Sequence, residues 1–157
     1  MSEQEQLSTP SLLRRFAAIF YDSWLVFALL LACVGTMILI RIGVEGLDAM
    51  PQGKPSINGI WRIPTFILML FALCHFYVYF WIKTGQTLGM QTWRIRLDND
   101  QHERISVKQA YTRFFIALFS WASCGLGYLW MYIDKDKHTW HGRASNTRLV
   151  LLPKSSK

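Results

Sequence analysis

Three apolar blocks dominate the pattern along the chain. Residues 16–40 carry a single charge, Asp22, and residues 63–82 and 114–133 carry none, while Lys and Arg gather in the segments between and after the blocks. A hydrocarbon layer of about 30 Å needs about 20 apolar residues in helical form. Blocks 16–40 and 63–82 are therefore predicted transmembrane helices. The third block is interrupted by Gly125 and Gly127 near its midpoint, within "SCGLGYLW". Glycines permit a sharp reversal that a continuous apolar helix resists, so this block is expected either to dip in and return or to span.

The polar stretches carry weaker periodic signals. "WRIRL" at 93–97 alternates apolar and basic residues, and "NTRLVLL" at 146–152 is rich in strand formers, so each is an expected short strand. Ser106 and Gln109 have capping-box spacing, which starts an interfacial helix at "VKQAYTRFF" leading into the third block. Gly43, Gly46, Pro51, Gly53 and Pro55 mark the connection between the first two blocks as irregular. The expected fold is an all-α membrane protein with two transmembrane helices, a third apolar segment that is re-entrant or spanning, and a short two-stranded cytoplasmic β pairing. Its organisation is a cytoplasmic tail 1–15, a membrane domain 16–152 with a cytoplasmic loop 83–113, and a basic tail 153–157.

Charge adds orientation. Short loops rich in Lys and Arg stay in the cytoplasm. The loop 83–113 has six basic residues and the tail from Asp134 has six more, whereas the 41–62 connection has three, partly balanced by Glu45 and Asp48. A multi-pass protein of the cell inner membrane with a cytoplasmic N-terminus satisfies these counts if the third block returns to its starting side. A full third crossing would put the basic tail outside, so the charge balance favours the re-entrant arrangement.

Composition agrees with a membrane protein: 52% of the 157 residues are hydrophobic and 15% aromatic. The net charge of +7 would suit nucleic acid, but topology accounts for it and no nucleic-acid partner is expected. Cys33, Cys74 and Cys124 lie singly in apolar blocks and read as buried thiols. "RRF" and "LLAC" are weak echoes of cleavable signals. Asp22 and the apolar run beyond Cys33 argue for a retained helix.

Asp22 is the chemical puzzle. An ionised aspartate near the centre of a membrane helix costs about 2.5 to 3.5 kcal/mol on insertion scales, and less once it gains a proton, a cation or a hydrogen-bonding partner. Arg15, Ala18, Ile19 and Asp22 share one helix face. Arg15 lies about 10 Å along the axis and leans away, toward the headgroups. Two readings stand. Asp22 takes up H⁺ or binds Na⁺, or it accepts a fixed bond from the cytoplasmic loop, for instance from Arg94 or Arg96, and pins the first helix. His75 is the other candidate proton group, either a relay with Asp22 or a neutral, hydrogen-bonded core histidine. Asp134, Asp136, His138 and His141 are close in sequence but suit an ion-pair cluster better than a metal site, so no metal and no cofactor is expected. No nucleotide, hydrolase or zinc-protease motif occurs, and no enzyme activity is expected.

Three stretches together resemble the RDD family of small membrane proteins: "RRFAAIFYD" from Arg14, "TGQTLGMQTWRIRL" from Thr84 and "TWHGRASNTRLVLL" from Thr139. The resemblance covers nearly the whole chain. It implies that Arg15 is the family arginine and Asp22 its first aspartate, and that Gly85, Gln86, Thr87, Leu88 and Gly89 are its G-Q-T-L-G motif. Family members usually have His-Asp where this chain has His141 and Gly142, so the second aspartate is absent unless Asp134 or Asp136 substitutes for it. Some members have been proposed as cation/proton antiporters. The expectation is therefore an oligomeric small-cation or proton transporter centred on Asp22. The alternative is a non-transporting adaptor or scaffold that binds anionic lipid or another membrane protein. Besides the lipid bilayer, a homo-oligomer is the expected assembly, because so few segments enclose a path only in several copies.

Overall fold

The computed structural model describes residues 8–47, 56–101, 103–123, 125–130, 133–134 and 139–153. Cys124, Asp136, His138 and the Pro51–Pro55 part of the connection lie outside them. The elements run α1 (Leu12–Glu45), a 3-10 turn (Gly59–Trp61), α2 (Arg62–Lys83), α3 (Leu88–Thr92), β1 (Ile95–Asn99), α4 (Val107–Ala122), α5 (Leu126–Leu129), α6 (Trp140–Ser145) and β2 (Thr147–Leu151). The chain separates into two compact units, one of residues 1–22 with 77–157 and one of residues 23–76.

The 23–76 unit carries most of α1 and α2, the two helices long and apolar enough to cross a membrane. α1 has 34 residues, about 51 Å at 1.5 Å per residue, well beyond the hydrocarbon thickness. Its uncharged stretch, Ser23 to Ile40, is about 27 Å long. A span fitted to that stretch leaves Asp22 at its rim rather than near its centre. Trp24, Phe27, Leu31, Leu39, Ile63 and Phe66 are all exposed, as lipid-facing side chains would be. At the far end Arg41 gathers the connection. Its Nε donates to Glu45 Oε2 at 2.8 Å, its Nη1 to the Ser56 carbonyl at 2.8 Å and also to Asn58 Oδ1, and Trp61 Nε1 donates to Glu45 Oε1 at 2.6 Å.

The other unit is a compact head built on the two helix ends. β1 and β2 pair antiparallel with Ile95 opposite Leu151, Leu97 opposite Leu149 and Asn99 opposite Thr147. Alternation puts Ile95, Leu97 and Val150 into a core with Ile105, Ala110 and Phe114, all under 5% exposed. On the same strand Asp98 accepts from Arg96 Nε at 2.7 Å and Nη2 at 2.8 Å. This bidentate pair holds the Arg96 charge above its ordinary pKa. Ser8, ahead of α1, lies beside the sheet, where its carbonyl accepts the Leu151 N–H at 2.9 Å.

α4 starts at the Ser106 capping box, formed in both directions with Gln109. It stops at Ala122, and Gly125 adopts a left-handed φ of 77° before the single turn α5. The third apolar block is thus a broken path, and its first half is one helix with the interfacial stretch before it. Hydrogen-bonded strands must lie on one side of a bilayer, so β1 and β2 share a side.

Candidate functional site

Asp22 is 3% exposed, and its partners come from the start of α3. Thr87 Oγ1 donates to Asp22 Oδ2, and the Gly89 N–H donates to Oδ1 at 2.8 Å. Thr87 is the N-cap of α3, and its hydroxyl also accepts the Met90 N–H at 3.3 Å. One hydroxyl therefore caps a helix with its lone pair and holds the carboxylate with its proton. The Gly89 N–H belongs to the first turn of α3, where helix amides lack internal partners. Asp22 satisfies it.

Only glycine fits at 89. A Cβ there would stand 2.2 Å from the Ala18 carbonyl oxygen and 2.9 Å from Asp22 Cγ. The "TGQTLG" turn is shaped to bring α3 this close to α1. Gly85 has a φ of 71°, its carbonyl accepts the Leu97 N–H at 2.8 Å, and Gln86 Nε2 donates to the Ile95 carbonyl at 2.7 Å. The motif thus joins α2, α3 and β1 and aims Thr87 and Gly89 at the aspartate. The expected partners Arg94 and Arg96 are corrected here. Arg96 is committed to Asp98, and Arg94, at φ 55°, gives its carbonyl to the Leu152 N–H at 2.8 Å.

The same unit buries a second charged group. Arg15 is 5% exposed, Arg113 4% and His141 3%. Arg15 does not reach outward to headgroups as expected: its Nε donates to the Pro10 carbonyl at 3.1 Å. Arg113 Nη1 donates to Thr147 Oγ1 at 2.9 Å, and its guanidinium lies 5.6 Å from the Trp81 ring. Burial brings Arg113 down to about 10, still cationic at neutral pH. The His141 ring packs 4.8 Å from the Tyr128 ring. Burial, then the charges of Arg113 and Arg15, push its pKa well below the ordinary value, so the imidazole is neutral. Its Nδ1 is buried without a hydrogen-bond partner.

The remaining candidates are elsewhere. His75 is exposed in the 23–76 unit with its ring stacked 6.2 Å from Phe71, which is not the setting of a buried core histidine. Asp134 lies 3.5 Å from Arg143. Among the described residues no group of three potential metal ligands occurs, and Cys33 and Cys74 are free thiols. The sequence reading did not single out Arg113 or Tyr128. The available signal was a charge at the start of an apolar block, which is unusual unless the residue is turned inward.

A model of the RDD family matches residues 9–146, most of the chain, including Asp22, Thr87, Gly89, Arg15, Arg113 and His141. The chain belongs to the RDD family. No curated protein and no solved structure matches it. With its two long apolar helices, this RDD protein is a membrane protein. The family resemblance also gives position 142 a meaning: a Cβ on Gly142 would stand 3.7 Å from Arg113 Nη1, so the place of the usual second aspartate faces the buried arginine. Asp134, a considered substitute, is turned to Arg143 instead.

Proposed function

We propose that this RDD protein is a non-enzymatic scaffold of the inner membrane, multi-pass with a cytoplasmic N-terminus, whose basic head binds anionic lipid or another membrane protein. The observation that carries the reading is the fixed bonding of Asp22. Both carboxylate oxygens receive neutral donors, a hydroxyl and an amide. Coordination of a cation needs convergent oxygen acceptors, whereas each oxygen of Asp22 is held by a donor. The carboxylate acts as a latch that fixes α3, and through Gly85 and Gln86 the sheet, to the start of α1. The basic loops 83–113 and from Asp134 onward support the cytoplasmic orientation of the head.

Asp22→Asn tests this reading in two assays. Lower protein level and melting temperature, with no Na⁺- or H⁺-driven pH change in proteoliposomes of either form, is the expected result. Flux from the wild-type protein that Asp22→Asn abolishes would sink the scaffold reading. It would favour the competing one, an oligomeric cation/proton transporter. One observation supports that competitor: among the described residues no Lys or Arg pairs with Asp22, so a proton is the simplest balancing charge.

A further inference from the structure

Arg15 and Arg113 are two cations buried within one unit and joined through their neighbours: the ring of Phe16, next to Arg15, lies 6.2 Å from the Tyr128 ring, which lies 4.8 Å from His141, and a Cβ on Gly142 would stand 3.7 Å from Arg113 Nη1. Among the described residues neither guanidinium has a carboxylate partner. Each makes one side-chain hydrogen bond to a neutral oxygen, Pro10 for Arg15 and Thr147 for Arg113, although a guanidinium has five N–H donors. Burying charge without a counter-charge costs several kcal/mol per ion. A neutral His141 that carries its proton on Nδ1 adds one more buried donor.

The geometry points to a binding site for a phosphate group at Arg15, Arg113 and His141, filled by the headgroup of an anionic phospholipid. Two planar guanidiniums match the oxygens of a phosphate, and basic pockets at the cytoplasmic side of membrane helices suit such headgroups. Residues next to the cluster in sequence favour lipid over free phosphate. Leu13 and Phe16 flank Arg15 on α1, Leu126 and Leu129 flank Tyr128 on α5, and all four are about half or more exposed. They offer an apolar surface for acyl chains where the charges end. α5 is a single turn after the left-handed Gly125. The inference rests on the scaffold reading and names its ligand.

The test uses the full-length protein in neutral detergent. Phosphatidylglycerol is titrated against phosphatidylcholine with the same acyl chains and against inorganic phosphate, with melting temperature and native mass spectrometry as readouts. Phosphatidylglycerol is expected to bind saturably and raise the melting temperature more than phosphatidylcholine, and inorganic phosphate is expected not to displace it. Arg113→Lys keeps the charge but loses the planar fork and should weaken binding about tenfold or more. His141→Phe keeps a ring against Tyr128, removes the donor and decides the matter if Arg113→Lys does not fold. Inorganic phosphate that competes and stabilises equally would overturn the lipid assignment and make free phosphate the ligand. Phosphatidylglycerol binding unchanged in both variants, or no preference over phosphatidylcholine, would overturn the site. That failure leaves the Asp22 latch untouched, because the latch is judged by Asp22→Asn stability and flux.

Discussion

Asp22 and the Arg15–Arg113 pair are buried in the same unit to nearly the same degree, yet the chain treats their charges in opposite ways. Around Asp22 each oxygen meets a donor that would otherwise lack a partner, so carboxylate and helix start satisfy one another. Around the arginines the hydrogen bonds go only to neutral oxygens, Pro10 and Thr147, and the neighbouring His141 Nδ1 is buried without a partner. A carboxylate needs few donors and can be silenced by one turn of backbone and one hydroxyl. A guanidinium spreads its donors too widely for that, and two of them near one neutral histidine leave positive charge over. The satisfied group is architecture; the unsatisfied group is where a ligand has something to gain.

Gly89→Ala would break this comparison most severely. Its Cβ would stand 2.2 Å from a backbone carbonyl of α1, which no rotamer can relieve. The expected cost is on the order of 3 kcal/mol or more, read as loss of monodisperse protein. A tolerated alanine would mean that α3 is not held tightly against α1, and the latch account would fail at its base.

Asp22→Asn and Thr87→Val come next, at about 1–3 kcal/mol each. Asparagine sets an amide donor against a donor. Valine preserves shape, removes the hydroxyl and strands Asp22 Oδ2. Because the two residues share one bond, the double variant should cost clearly less than the sum. Additive melting shifts would show that the bond contributes nothing of its own.

Position 142 sharpens the contrast from the other side. Gly142→Ala pushes a methyl to 2.9 Å from the Thr147 carbonyl, at an expected cost of about 1–3 kcal/mol. Gly142→Asp meets the same contact and also places a carboxylate beside Arg113. Aspartate should therefore destabilise less than alanine and abolish the stabilisation by phosphatidylglycerol. If the two substitutions cost the same, Arg113 is not short of a counter-charge.

Much of this architecture is legible along the chain. The two spans, both strands and the Ser106–Gln109 capping box follow from periodicity and local chemistry, because burial and capping leave marks at fixed spacings. The close contact at Gly89 has a trace too, since a glycine pair around "QTL" implies a tight approach. The partner of Asp22 was harder to read. Opposite charge suggests Arg96, but Asp98 lies two residues along the same strand, within closer reach. Thr87 and a backbone amide win by position alone, and 65 residues separate Thr87 from Asp22. The arginine cluster is assembled from α1, α4 and α6, elements far from one another along the chain, with no local pattern to announce it. Arg15 pointing inward also goes against the usual preference of an arginine at a membrane helix end for the headgroups.

The smallest expected effect is a pH dependence centred on His141. Its folded pKa lies well below the ordinary value of 6.5, so below about pH 6.5 the unfolded chain takes up a proton that the folded protein refuses. Stability contributed by the neutral imidazole is present above that pH and is lost as pH falls through it, by at most about 1.4 kcal/mol per pH unit. The groups around the imidazole reinforce the refusal: Arg15 from α1 and Arg113 from α4 repel the proton, and Tyr128 from α5 packs against the ring. Melting temperature followed from pH 7.5 to 5 in lipid-free detergent should fall more steeply for the wild-type protein than for His141→Phe. Phosphatidylglycerol should shrink the difference, since a phosphate beside the ring offsets the arginines and lets the imidazole accept its proton in the folded state. Equal slopes with and without the lipid would mean that no anion reaches His141.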